Sequence, residues 1–226
     1  MKPETPLIRK HLRAPKAAAI AGIVFSVLLI ISLVLLLLSI PVSLGENGAW
    51  LTTGGKSVLL ALNLVPFAGI AFLWFMGVVR DRLGKNEDQF FATVFLGSGL
   101  LFLALLFASA AVSGSMILLY LNQPDRQLAA GAYRFGGTLA RQLMTTYAIR
   151  MAGVFMISTS TLFIQTQVIP RWMGWLGYGL ALIMLLRMGH IDRIGWVILS
   201  FPLWVLLISV YILIDNYRKK AKAAPT

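Results

Sequence analysis

The stretch AAAIAGIVFSVLLIISLVLLLLSIPVSLG, residues 17–45, contains no charged side chain and decides the fold class of this chain. A helix of roughly 20 apolar residues crosses the ~30 Å hydrocarbon core of a bilayer, and this run exceeds that length. Further uncharged runs follow along the chain. They lie at residues 57–79, 89–124, 151–170, 172–186 and 194–214. This pattern predicts an all-α fold, a polytopic transmembrane helical bundle.

The composition of the 226 residues excludes the other broad classes of protein. Apolar residues make up 58% and charged residues 12%, whereas soluble domains have about 45–50% and about 25%. The strands of an outer-membrane barrel would alternate apolar and polar residues over segments of about 10 residues. The uncharged runs show no such alternation, so a helical membrane protein remains.

We predict six spans in a single integral membrane domain, residues 1–226. The spans lie at about residues 17–44, 57–79, 90–118, 144–168, 170–189 and 194–215. The fifth is short and crosses only if the flanking Arg171 and Arg187 extend toward the headgroups. Between the third and fourth spans, residues 121–142 include three glycines and suit a loop or a short surface helix.

The net charge of +12 predicts the orientation of these spans. Cytoplasmic loops collect Lys and Arg, and alternate loops of this chain carry thirteen and six of these cations. Both termini are therefore predicted to be cytoplasmic, in a multi-pass protein of the cell membrane. The first span is too long for the apolar region of a signal peptide, so we expect it to remain uncleaved. The basic segments are expected to bind anionic lipid headgroups rather than nucleic acid.

Residue types that usually carry enzyme chemistry are missing from the apolar runs. The chain has no Cys, its two histidines lie far apart, and no carboxylate falls inside any uncharged run. The segment Gly54-Gly55-Lys56-Ser57 resembles the end of a phosphate-binding loop, but Trp50 stands where that motif needs a glycine. We therefore predict a protein without catalytic residues, cofactor or metal.

The fourth span carries the main candidate site. On an ideal helical wheel Gln142, Thr146, Arg150 and Ser160 share one polar face. A cation inside a span usually faces the bundle interior or a watery cavity, which makes Arg150 a candidate anion-binding residue. The alternatives are a snorkelling arginine of the outer leaflet or an ion pair with Asp125 or Asp192.

A second polar candidate lies in span two. Asn63 precedes Pro66, which frees a backbone carbonyl in the preceding turn. The Asn63 amide can satisfy such groups or bind a ligand in the membrane, and Pro66 is expected to kink the span.

Small residues line one face of the third span and predict close helix packing. This seam consists of Gly97, Ala104, Ala108, Ala111 and Ser115, with Thr93 at its start. The fifth span opens with three glycines, Gly174, Gly177 and Gly179. We expect both features to form helix contacts inside the bundle, and a homodimer face is the alternative.

Two stretches resemble a family of uncharacterised bacterial six-span integral membrane proteins. One runs from Gly77 through Arg80-Asp81-Arg82-Leu83-Gly84 to Gly99, and the other is Tyr147-Ala148-Ile149-Arg150-Met151 with Ile157–Thr161 after it. The resemblance implies a bacterial cytoplasmic membrane. It implies no activity, because the family has no established function.

Three functions are compatible with these features. The leading expectation is a non-enzymatic accessory or lipid-associated membrane protein, with a possible homo-oligomer or protein partner. The second is a small transporter or channel for an anionic solute or lipid, using the Arg150 face. The third is a lipid-acting enzyme in which Arg126, Arg134 and Arg141 hold phosphate.

Overall fold

The computed structural model describes residues 14–39, 50–83, 89–122, 126–167, 169–186 and 197–223. These residues form helices and short turns, with no strand among them, which confirms the all-α prediction. The helices are α1 (Ala14–Ser39), α2 (Trp50–Leu83), α3 (Gln89–Asn122), α4 (Arg126–Gln142), a π-helical segment (Leu143–Ala148), α5 (Ile149–Gln165), α6 (Arg171–Leu186) and α7 (Val197–Ala223).

Five helical stretches are long and apolar enough to cross a membrane. They are Ala17–Leu38, Lys56–Arg80, Phe90–Leu119, Arg134–Gln165 and Val197–Arg218. The sixth apolar helix, α6, has 16 residues and is therefore about 24 Å long at 1.5 Å per residue. This helix is shorter than the ~30 Å hydrocarbon core, so six complete crossings remain a prediction.

The connection between the third and fourth predicted spans is a helix, which is one of the two alternatives expected there, and not a loop. Residues 126–142 form α4, and the helical path continues through the π-helical segment into α5. The hydroxyl of Ser109 on α3 donates a hydrogen bond of 2.9 Å to the carbonyl oxygen of Ala140. Gly136 packs against Met116 of α3. Gly136 and Ala140 thus lie on the face of α4 that packs against α3.

The helices alternate in direction along the chain. Between α2 and α3, Gly69 meets Phe107 and Met76 meets Gly99, so these helices are antiparallel. Gly153 and Gly174 mark an antiparallel pairing of α5 with α6. The N-terminal part of α1 lies beside the C-terminal part of α7, because Gly22 faces Ser209.

Phenylalanine side chains from five helices form the centre of the bundle. The ring of Phe72 on α2 lies 4.6 Å from Phe25 of α1 and 5.1 Å from Phe155 of α5, measured between centroids. Phe102 of α3 and Phe201 of α7 approach the same ring at 5.7 and 5.9 Å. These separations fall in the range in which aromatic pairs add stability beyond their buried area.

Half of the buried hydroxyl groups among the described residues bond to the backbone of their own helix. Ser32, Ser98 and Ser158 each donate to the carbonyl oxygen four residues earlier, at 2.6–3.0 Å. Such bonds satisfy a polar group where no water is available. Serine is therefore compatible with the interior of this apolar bundle.

We expect Phe72→Ala to lower the free energy of unfolding by about 3–5 kcal/mol, because it empties a fully buried site shared by five helices. Trp74→Ala is the control, because Trp74 lies two residues away and is 67% exposed. Unfolding of both variants in the same detergent by denaturant titration measures the difference. Equal loss of stability in the two variants would contradict the central position of Phe72.

Candidate functional site

The π-helical segment lies directly before Arg150 and changes the geometry of the predicted polar face. The N–H of Ile149 bonds to the carbonyl oxygen of Met144, five residues earlier. A π-helical turn holds more residues than an α-helical turn, so each residue advances the helix by a smaller angle. A helical wheel that assumes the same rotation per residue from Gln142 to Arg150 therefore does not apply across Leu143–Ala148.

Gln142 and Thr146 lie on the outer surface of this segment. Gln142 is exposed and Thr146 is half-buried. The hydroxyl of Thr146 donates a hydrogen bond of 2.6 Å to the side-chain oxygen of Gln142. On the neighbouring residue, the hydroxyl of Thr145 donates to the carbonyl oxygen of Arg141 at 2.8 Å. Neither pair lines an interior cleft.

Arg150 faces outward instead of into the bundle. Its side chain is half-buried, and Tyr147 on the preceding turn is exposed. Val154, Ile157 and Thr161 continue the same helical edge and are also half-buried, whereas residues 158–160 are buried. Arg150 is therefore not enclosed in the interior, and its role in binding an anion stays a prediction. The guanidinium of Arg150 makes no hydrogen bond or ion pair with any residue that the structure describes.

The alternative ion pairs for Arg150 cannot be assigned from this structure. Asp125 and Asp192 both lie outside the described residues.

Ser160 lies apart from Arg150, at the contact of α5 with α6. It is fully buried, and its hydroxyl makes no hydrogen bond. The oxygen points at the position that a side chain at Gly177 would occupy, beside the ring of Trp204. A weak Cα–H···O contact to Gly177 accounts for this geometry, which recurs where Ser209 faces Gly22.

The neighbouring hydroxyls of α5 have partners. Thr159 donates to the carbonyl oxygen of Phe155 at 2.7 Å. Thr161 bonds to the carbonyl oxygen of Ile157 at 2.9 Å and shares a bond of 2.7 Å with the hydroxyl of Tyr178 on α6. These bonds tie α6 to α5 and leave the Ser/Thr cluster without free groups for substrate chemistry, Ser160 excepted.

Asn63 is not part of the same site. It is exposed on α2, and α2 packs on α1 and α3. The structure therefore does not bring the Asn63 amide together with Arg150. Helix α2 continues across Pro66 from Trp50 to Leu83.

The small-residue seam of α3 lies on the outer surface of the bundle. All five seam residues are exposed, as is Thr93, and a side chain at Gly97 would meet nothing within 4 Å. The expectation that this seam forms contacts inside the bundle is therefore wrong. The homodimer alternative stays a prediction.

The glycines of α6 behave differently from one another. Gly174 and Gly177 are buried, and side chains there would collide with Ile164 and Ser160 of α5. Their interior packing is confirmed. Gly179 is exposed and faces open space, so the same prediction is wrong for this residue.

The best-formed cavity among the described residues is apolar. It measures about 10 Å³, which is near the lower limit for one water molecule. Its walls come from α1, α3, α5, α6, α7 and the π-helical segment, with Phe102, Met144 and Ile149 among them. No group of three His, Cys, Asp or Glu side chains that could hold a metal occurs in the described part of the chain.

The helical edge that includes Arg150 continues along α4, toward the N-terminal end of that helix. Arg134 and Arg141 are seven residues apart, so they lie on one face of α4, and both are exposed. Between them Phe135 and Leu139 are also exposed. We call Arg134, Arg141, Tyr147 and Arg150 the arginine edge. The sequence analysis grouped Arg134 and Arg141 with Arg126 and did not connect them with Arg150, although the spacing of seven residues between Arg134 and Arg141 indicates a shared helix face.

The comparisons with known proteins provide no relative for this chain: no family model matches it, no curated protein matches it and no solved structure matches it.

We expect Gly177→Ala to destabilise the protein by about 1–3 kcal/mol, because the added methyl group meets Ser160 and the Trp204 ring. Gly179→Ala is the matched control and should be neutral or stabilising by up to ~1 kcal/mol, because alanine favours the helix. Adding Ser160→Ala to Gly177→Ala should recover part of the loss. Thermal unfolding in detergent compares the variants, and equal stability of Gly177→Ala and Gly179→Ala would contradict the contact.

Proposed function

We propose that this chain is a non-enzymatic, multi-pass protein of a bacterial cytoplasmic membrane. In this proposal it has both termini in the cytoplasm, crosses the membrane six times and associates with anionic lipid headgroups at its cytoplasmic face. Its role is that of an accessory or lipid-associated protein. The observation that carries the proposal is the clustering of exposed arginines and aromatic side chains at one end of the bundle.

We call this the basic end and define it by Arg80, Arg171 and Arg218. These residues lie at the C-terminal end of α2, the N-terminal end of α6 and the C-terminal part of α7. All three are exposed. Because the helices alternate in direction, these three helix ends meet on one side of the bundle. Exposed arginines at that level suit electrostatic attraction to anionic lipid.

Aromatic side chains accompany the arginines of the basic end. Trp172 and Trp175 are exposed on the first two turns of α6, next to Arg171. Trp74 and Tyr217 are exposed on α2 and α7. Tryptophan and tyrosine are enriched where a protein crosses the membrane–water interface. This combination supports a membrane boundary at the basic end.

A transporter or channel for an anionic solute is the weaker candidate. It required Arg150 on an interior polar face, whereas the side chain lies on the outer edge of α5 with Tyr147 and Val154. The interior is filled by phenylalanine rings and its cavity is apolar. We therefore propose lipid association rather than passage of a solute through the bundle.

We expect the purified protein to retain dioleoyl phosphatidylglycerol more strongly than dioleoyl phosphatidylcholine in native mass spectrometry. The variant Arg171→Gln/Arg218→Gln should reduce this affinity about thirtyfold, because each cation near an anionic surface contributes roughly 1 kcal/mol. Gln167→Ala, an exposed uncharged position at the same end, is the control. Equal retention of the two lipids by the wild type would refute the proposal.

The absence of native cysteine permits a clean test of the six-span topology. Single substitutions Arg171→Cys, Arg218→Cys and Gly131→Cys introduce one exposed thiol each. We expect a membrane-impermeant maleimide to label Gly131→Cys in intact bacteria, and the other two only after permeabilisation. Labelling of Arg218→Cys in intact cells would place the C-terminal end outside and exclude the proposed topology.

A further inference from the structure

We propose that the arginine edge binds the phosphate of an anionic phospholipid, in the leaflet opposite the basic end. The occupant is a lipid of the surrounding bilayer. This inference rests on the membrane-embedded part of the proposed function, but it concerns different residues at the other end of the bundle.

The position of the arginine edge along the helix matches one leaflet. The apolar stretch Arg134–Gln165 has 32 residues and is about 48 Å long. That length exceeds the ~30 Å hydrocarbon core, so Arg134 lies beyond the core and Arg141 near its boundary. Arg150 follows about 13 Å further along the axis. Because helical side chains lean toward the N-terminus of their helix, the Arg150 side chain extends back toward Arg141.

The π-helical segment brings Arg150 closer to the face of the helix that carries Arg141. In an uninterrupted α-helix the nine residues from Arg141 to Arg150 would advance roughly 900°, which places the two side chains on opposite faces. The wider turn of Leu143–Ala148 reduces that rotation. Arg141 and Tyr147 are exposed, and Arg150 is half-buried. Such π-helical turns occur frequently at functional sites.

The chemistry of the edge suits a phosphate with acyl chains attached. Arg141 and Arg150 make no side-chain hydrogen bond or ion pair with any residue in the described part of the chain. An arginine at the centre of a membrane-spanning helix costs at least ~2.5–3.5 kcal/mol, and a phosphate accepts two parallel hydrogen bonds from one guanidinium. Tyr147, which is 55% exposed and lies on the core side of Arg141, provides an apolar ring surface for an acyl chain.

The packing of α4 holds this edge in place without a ligand. The Ser109–Ala140 hydrogen bond of 2.9 Å attaches the turn before Arg141 to α3. On the other side of the π-helical segment Ile149 and Ala152 are buried in the core. The two arginines are therefore positioned by the fold, which lowers the entropy cost of binding.

The test uses the full-length protein in nanodiscs of phosphatidylcholine with a small fraction of phosphatidylglycerol that carries a photoreactive diazirine near its headgroup. After irradiation and trypsin digestion, we expect the label on the peptide of residues 142–150, which contains Tyr147. Excess unlabelled phosphatidylglycerol should remove this label, whereas excess phosphatidylcholine or inorganic phosphate should not. In Arg141→Gln/Arg150→Gln, which lacks both of these trypsin sites, the label at Tyr147 is read on the peptide of residues 135–171 and should fall at least fivefold.

The matched control is Arg171→Gln/Arg218→Gln, which carries the same charge change at the basic end and should keep the label at Tyr147. An unchanged label in Arg141→Gln/Arg150→Gln, an equal loss in both double variants or competition by phosphatidylcholine would each overturn the inference. If the double variant fails to fold, Arg141→Gln alone decides the question, because Arg141 is exposed. If anionic lipid binds at the basic end but Tyr147 is not labelled, only the inference about the arginine edge is refuted. If neither end prefers anionic lipid, both proposals are refuted.

Discussion

The packing of phenylalanine rings around Phe72 is the interaction on which the bundle depends. Lipid tails are as apolar as a leucine side chain, so burial alone provides little drive to hold membrane helices together. Association must come from close van der Waals contact and from specific geometry. Rings from α1, α3, α5 and α7 meet the Phe72 ring at centroid distances of 4.6–5.9 Å. They therefore set the depth at which these helices are aligned with α2.

Contacts between glycine and serine determine how closely neighbouring helices approach one another around the phenylalanine rings. Ser209 faces Gly22 between α7 and α1, and Ser160 faces Gly177 between α5 and α6. In each pair the missing side chain of glycine allows the neighbouring helix to approach closely. Helix α6 is held mainly through such contacts with α5, together with the Thr161–Tyr178 hydrogen bond. With its other faces packed against α3 and α6, α5 leaves only one edge outward, and that edge contains Arg150.

Much of the fold could be predicted from the sequence, but the candidate site could not. The uncharged runs predicted the first three helices and α7, because the length of an apolar run directly reports its capacity to cross a bilayer. The predicted polar face of span four does not form, because the π-helical segment Leu143–Ala148 changes the rotation of the helix. Residue composition does not indicate a wider helical turn. An error in the assumed rotation across this segment changes the predicted side of the helix on which Arg150 lies. For residues 121–142 the sequence left a loop and a short helix open, because glycine and alanine are compatible with turns and with helix packing.

The sequence by itself determined that this chain forms apolar helices, where they lie and where its cations cluster. Only the tertiary structure decided which face of each helix points inward. The seam from Gly97 to Ser115 lies outside, whereas Gly177 of α6 lies inside, and both are built from the same kinds of residue. In a soluble protein the hydrophobic effect separates inner from outer faces along the sequence. In a bilayer both faces are apolar, so complementary shape between neighbouring helices makes that choice.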